Sequence, residues 1–212
     1  MKYILIIILS LLPALALAQE DGTEIHSLCN DIATCAIPYV RLSKQETEPF
    51  LFLGKVVDEP HARYSDYRKS ILRFPDVLTC LKEEERGKPE PDLRQIDWDI
   101  IHNTREMDVC VFRIASSIED DEYIKIWLQY HGYRVGDVLQ LSTARNPPRY
   151  DTGPWFSFQG YLTIEKFREI IPRFWLARLI GFEGARNHTL TISFSKDGQV
   201  VGAYAFANSI FN

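Results

Sequence analysis

Three groups of residues in this 212-residue chain have types and spacings that can do chemistry. Asp99 and His102 lie in Asp97-Trp98-Asp99-Ile100-Ile101-His102, three residues apart. On a helix they share a face, where a carboxylate beside an imidazole can do acid and base work. That work also needs a nucleophile or a substrate pocket, and the flanking residues supply neither. The second group is the loop Ser142 to Trp155, in which Arg145, Arg149, Tyr150 and Trp155 surround Pro147-Pro148. Arginine, tyrosine and tryptophan dominate interface hot spots, and paired prolines reduce the ordering entropy that binding costs. The other use of such a loop is a plain connection whose Tyr150 and Trp155 cover the sheet. The third group is the four cysteines Cys29, Cys35, Cys80 and Cys110.

The cysteines are read through the start of the chain. Lys2 precedes an apolar run, Ile4 to Leu12 and Ala14 to Ala18, that ends in Ala16-Leu17-Ala18. A basic start, a short apolar core and small residues at the end form an export signal, with cleavage expected after Ala18. The run is shorter than the roughly 20 residues that span a bilayer, and no later segment is free of charge, so the mature protein is expected to be soluble with no membrane span. In an oxidising compartment an even cysteine count is a disulfide framework, and the expected pairs are Cys29 with Cys35 and Cys80 with Cys110. Closing the longer loop contributes about 3 kcal/mol by restricting the unfolded chain. The spacing of Cys29 and Cys35 is too wide for a zinc knuckle and no histidine stands at a partner position, so no metal is expected; the C-x-x-C of a redox centre is absent as well.

Charge narrows the partner class. The chain carries 24 Lys and Arg against 29 Asp and Glu, a net charge of −5, which argues against nucleic acid. The imbalance is concentrated: residues 19–108 hold 12 basic and 19 acidic residues, whereas residues 109–212 hold 11 and 10. This divides the expected organisation into a signal peptide over 1–18, an acidic region with short helices over 19–108, and an α+β sandwich over 109–212. The run Glu83-Glu84-Glu85 reads as a solvated helix end rather than a cation site. No nucleophile elbow, zinc-protease helix, phosphate loop, dinucleotide glycine motif or EF-hand spacing occurs, and no cofactor is expected. Asn187-His188-Thr189 is a glycosylation acceptor only in a eukaryotic source.

The elements that must position these residues are read from periodicity. In the acidic region, Ser27 to Ala36 suggests a short helix, Phe50 to Leu53 a strand stopped by Gly54, and Pro75-Asp76 the start of a helix ending near Gly87; Gly87 to Asp92, with two prolines, reads as a linker. In the second half, Val109 to Ala115 reads as a strand, Ser117 as the cap of a helix carrying Ile124, Trp127, Leu128 and His131, and Gly132 as its end. Tyr133 to Ser142 and Trp155 to Leu162 read as strands. A helix capped by Thr163 and interrupted by Pro172 carries Ile164, Phe167, Ile171, Phe174 and Trp175. A hairpin then turns at Lys196-Asp197-Gly198. The expected class is α+β, a two-layer sandwich with a ferredoxin-like βαββαβ(β) C-terminal half and a mostly helical or irregular N-terminal half. One sheet face carries Phe156, Phe158, Leu190, Ile192 and Phe194. The other carries Trp155, Ser157, Gln159, Tyr161, Thr189, Thr191 and Ser193, and is either a binding platform or a surface that the acidic half covers.

The strand-helix-strand pattern ending in Leu128-Gln129-Tyr130-His131-Gly132-Tyr133-Arg134-Val135 resembles the peptidoglycan-binding repeat known as the SPOR domain, in which a helix ending in a glycine feeds the second strand. The resemblance covers roughly a third of the mature chain and implies glycan binding on the open sheet face. Two functional expectations follow. One is an exported, disulfide-stabilised binding or inhibitor module of the cell envelope or extracellular space, holding a partner protein or cell-wall glycan through Arg145, Arg149, Tyr150, Trp155, Ser157, Gln159 and Tyr161. The other is an envelope hydrolase working through Asp99 and His102.

Overall fold

A computed structural model describes residues 28–170 and 185–209. The expected leader, and Ile171, Pro172, Phe174 and Trp175 of the expected kinked helix, lie outside the described residues. The class is α+β: helices pack on a five-stranded antiparallel sheet. A two-stranded hairpin, β1 (Leu51–Phe52) and β2 (Lys55–Val56), precedes α1 (Tyr64–Arg73) and the single turn α2 (Glu83–Arg86). Two long helices follow, α3 (Thr104–Ile118) and α4 (Asp121–Tyr130). The sheet is then built from β3 (Arg134–Val135), β4 (Leu139–Gln140), β5 (Phe156–Thr163), β6 (Ala185–Phe194) and β7 (Val200–Ser209), with α5 (Ile164–Ile170) between β5 and β6.

The ferredoxin-like order is replaced by a meander. Strands β3 and β4 both pair with one edge of β5, β6 pairs with its other edge, and β7 closes the order, every pair antiparallel. The difference originates in Val109 to Ala115, which lies inside helix α3 rather than in a strand. Asn103 caps that helix, its side-chain oxygen accepting from the Arg105 and Glu106 N–H groups at 3.0 and 3.1 Å. From Glu106 to Ile118 every residue is buried, and the short window Val109 to Ala115 taken alone, with Cys110, Phe112 and Ile114 alternating, looks like a strand. Ser117 belongs to the same helix, donating to the Arg113 carbonyl at 2.7 Å and accepting from the Ser43 N–H at 3.0 Å. The cap of α4 is Asp120, which accepts from Glu122 and Tyr123. Without a strand ahead of α4, the strand-helix-strand pattern behind the SPOR resemblance is absent.

Other expectations survive in altered form. Leu28 to Ala36 forms turns rather than a helix, because the Asp31 carboxylate accepts from the Ala33 N–H at 3.0 Å and offers the backbone a local alternative. The helix expected from Pro75 is a 3-10 turn, Leu78–Cys80, followed by α2. The Tyr133 to Ser142 strand is divided at Gly136 into β3 and β4. The β1 strand, the α4 end at Gly132 with φ +81°, and the β6–β7 hairpin turning at Gly198 follow the sequence reading.

A single apolar cluster draws on both sides of the charge boundary: Phe50, Tyr67, Phe74 and Leu81 join Phe112, Trp127, Phe158 and Ile192. Cys80 and Cys110 are bonded within it, and Cys29 with Cys35 near the start of the described chain. Two buried polar groups on α3 hold its surroundings. Arg113, fully buried, donates to the Ser43 hydroxyl at 3.3 Å and to Gln45 and the Glu48 carbonyl, fixing the irregular segment 43–48. Asp108, also fully buried, accepts from the Ala205 N–H at 2.6 Å and from the Tyr67 hydroxyl at 2.7 Å. The first bond satisfies a donor on the outer edge of β7, and the second ties α1 to α3.

Candidate functional site

The two-residue turn of the β1–β2 hairpin creates one wall of a cleft. Both central residues lie at positive φ, Leu53 at 52° and Gly54 at 80°. Glycine tolerates that region freely, whereas a leucine there costs about 1 kcal/mol or more. The turn is pinned from two sides: the Gly54 N–H donates to the Val201 carbonyl at 2.8 Å, and the Thr152 hydroxyl donates to the Gly54 carbonyl. A Cβ at position 54 would overlap the Thr152 carbonyl, so only glycine lets the hairpin and the later loop meet.

The opposite wall is the loop Leu141 to Pro154. Its ends are drawn together where the Ser142 hydroxyl donates to the Pro154 carbonyl at 2.8 Å and the Leu141 and Ser142 N–H groups share the Trp155 carbonyl. Between the walls lies a cleft of about 510 Å³. Its polar lining is Lys55, His61, Arg63, Ser142, Arg149 and Tyr150; the rest is Phe52, Leu53, Leu141 and the prolines Pro147, Pro148 and Pro154. No acidic side chain lines it.

The cations are arranged on aromatic rings. Lys55 Nζ lies 5.4 Å and the Arg149 guanidinium 5.6 Å from the centre of the Tyr150 ring, and the Arg63 guanidinium 4.3 Å from the Phe52 ring. Each contact is attractive by about 0.5–1 kcal/mol at an exposed site, enough to bias the side chain's position. Among the described residues no carboxylate forms an ion pair with Lys55 or Arg149; Arg63 meets Asp66 at 3.5 Å, in a solvent-exposed pair that contributes little. His61 Nδ1 accepts the Arg63 backbone N–H at 3.1 Å, which places the neutral ring's proton on Nε2. Burial and the Lys55 and Arg63 charges, partly opposed by Asp58, hold the His61 pKa below its ordinary value. The site therefore offers three cations and a neutral N–H donor against apolar walls. A smaller depression of about 250 Å³ contains Arg41, but Glu48 and Glu119 already pair with that arginine.

Of the residues singled out from sequence, Arg149 and Tyr150 line the cleft. Trp155 is outside the lining and acts as framework, donating its backbone N–H to the Phe194 carbonyl at 2.8 Å while Lys196 lies 5.4 Å over its ring. Arg145 is exposed in the Thr143–Asn146 turn outside the lining. On the polar sheet face, Ser157, Thr189, Thr191 and Ser193 are buried, Gln159 is half-buried and Tyr161 is 39% exposed. The hairpin covers one end of this face, where the Leu53 nitrogen would lie 3.1 Å from a Cβ at Gly202. Asp99 and His102 do not share a helix: Asp99 is in the 3-10 turn Trp98–Ile100, and His102 stands between that turn and α3. His102 Nδ1 lies 2.9 Å from Arg73 Nη1, its backbone N–H donates to the Glu106 carboxylate at 2.7 Å, and neither residue of the pair lines either cleft.

Sequence reasoning missed Lys55, His61, Arg63 and Phe52. Their local signal, three basic or titratable residues within nine positions after a glycine turn, is weak, because a contact almost a hundred residues away completes the site. No family model, no curated protein and no solved structure matches this chain. Two disulfides are present, and among the described residues no helix is long and apolar enough to cross a membrane.

Proposed function

We propose that the protein is an exported, non-catalytic binding or inhibitor module of the cell envelope or extracellular space, and that its partner docks in the cleft between the β1–β2 hairpin and the 141–154 loop. The observation that carries this reading is Lys55 and Arg149, which meet no carboxylate among the described residues, held over Tyr150 in a cleft whose lining has no acid. Arginine and tyrosine on a proline-stiffened, hydrogen-bonded loop bind with little ordering cost. The leader pattern and the two disulfides support an oxidising compartment outside the cytoplasm. The hydrolase reading gains no support, since His102 is engaged by Arg73 and Glu106 outside the clefts described.

The test compares capture from envelope extract, and on purified cell-wall glycan, by the oxidised protein and by an Arg149→Ala, Tyr150→Ala variant. A partner retained by the first and lost by the second is the expected result. Equal capture by both would move the binding surface elsewhere.

A further inference from the structure

The composition of the cleft also indicates the class of its ligand. Lys55, Arg63 and Arg149 concentrate positive charge in a chain whose net charge is −5, so the local field opposes the sign of the whole molecule and favours anions there. The rings in the lining already hold cations: Phe52 carries Arg63, and Tyr150 carries both Lys55 and Arg149. A guanidinium lying on a ring keeps its edge N–H groups for other partners, and those N–H groups match a carboxylate two at a time. The uncharged remainder of the wall is aliphatic, Leu53, Leu141 and prolines. This apolar surface continues past the cleft through exposed Val138 and Leu139 on the outer edge of the sheet. Leu53, 38% exposed, sits in the left-handed region beside Gly54, whose two hydrogen bonds anchor the turn, and strain of this kind collects where a ligand is gripped.

We propose that the cleft takes an acidic peptide segment of a partner protein, its carboxylates on Lys55, Arg63 and Arg149 and its apolar side chains against Leu53, Leu141 and the leucine edge of β4. A peptide alternating acids with aliphatic side chains satisfies both halves of the wall, whereas an acidic glycan satisfies only the charged half. The proposal rests on the binding reading above and names its ligand class.

The test titrates the oxidised protein by calorimetry with the decapeptide (Glu-Leu)5, with (Lys-Leu)5 and with an oligogalacturonate of equal carboxylate number. The acidic peptide is expected to bind, to weaken as salt rises, and to lose about tenfold in affinity against a Lys55→Gln, Arg149→Gln variant. The charge-reversed Lys55→Glu, Arg149→Glu variant is expected to prefer (Lys-Leu)5. Thermal unfolding of each variant confirms that both changes, at exposed side chains, leave the fold intact. Absence of acidic-peptide binding, or binding equal in the neutralised variant, overturns the proposal. Oligogalacturonate binding as tightly as the peptide overturns it in favour of an anionic glycan. If the peptide fails while envelope capture still depends on Arg149 and Tyr150, the ligand class falls and the binding reading stands; if capture is equal in both proteins, both fall.

Discussion

Replacing Asp108 with asparagine tests how the sheet edge is held. The carboxyl is fully buried, with Oδ1 on the Ala205 N–H, Oδ2 on the Tyr67 hydroxyl, and Arg105 Nη1 at 3.5 Å. Burial pushes its pKa up to about 6 from the usual 3.8, outweighing the Tyr67, Ala205 and Arg105 contacts that pull it down. Between those values the folded protein binds more protons than the unfolded chain, so stability falls as pH rises. The favourable contribution is complete below the unfolded pKa and is lost as pH rises through about 6, which at 1.36 kcal/mol per unit is about 3 kcal/mol. An asparagine keeps an acceptor for Ala205 but does not ionise. Urea unfolding of both proteins from pH 3.5 to 7.5 should give a wild type that loses about 3 kcal/mol relative to the variant across that range, about 2 kcal/mol of it between pH 4 and 6. Parallel stability curves would show that Asp108 does not titrate there. A wild type gaining on the variant with rising pH would show that its hydrogen bonds outweigh its burial, refuting the argument.

Other perturbations have equally direct outcomes. Arg113→Ala leaves the Gln45 side chain and the Glu48 carbonyl without their buried partner and should cost about 3–5 kcal/mol in chemical denaturation, with protection from hydrogen exchange lost first over 43–48. Gly54→Ala, which places a Cβ on the Thr152 carbonyl in a left-handed turn, should lower stability by about 2 kcal/mol or more and separate the two cleft walls, read as increased exchange at 50–56 and 141–154. Leu53→Asn should instead raise the unfolding midpoint, by about 0.5–1 kcal/mol of relieved backbone strain. Replacing Cys80 and Cys110 with alanine should cost about 3 kcal/mol, measured by thermal unfolding against the intact protein.

The legible parts of this molecule are local. The Cys29–Cys35 pair, the hairpin at Lys196-Asp197-Gly198 and the end of α4 at Gly132 each depend on residues close in sequence, and Cys80 with Cys110 is the pair that then remains. Helix α3 was illegible because the window Val109 to Ala115 is too short to show the helical period, and Val109, Val111 and Ile114 favour a strand reading. Its decisive signal, Asn103 ahead of Glu106, lay outside the segment read as a strand. Misreading that one helix also produced the ferredoxin-like order, since the expected first strand vanished. Arg113 is buried by a relation no local pattern carries, since neighbours about 70 residues earlier satisfy it in the core. The candidate site was half visible: Arg149 and Tyr150 stood out beside paired prolines, while Lys55 and Arg63 became relevant only when Gly54 brought the hairpin against Thr152.

The measurement that bears most directly on the proposed function is hydrogen exchange, followed by mass spectrometry, of the oxidised protein free and bound to whatever it captures from envelope extract. The account expects added protection over 51–63 and 141–154, absent in the Arg149→Ala, Tyr150→Ala variant. Protection elsewhere with these two segments unchanged, for example around His102 and Arg73, would contradict it.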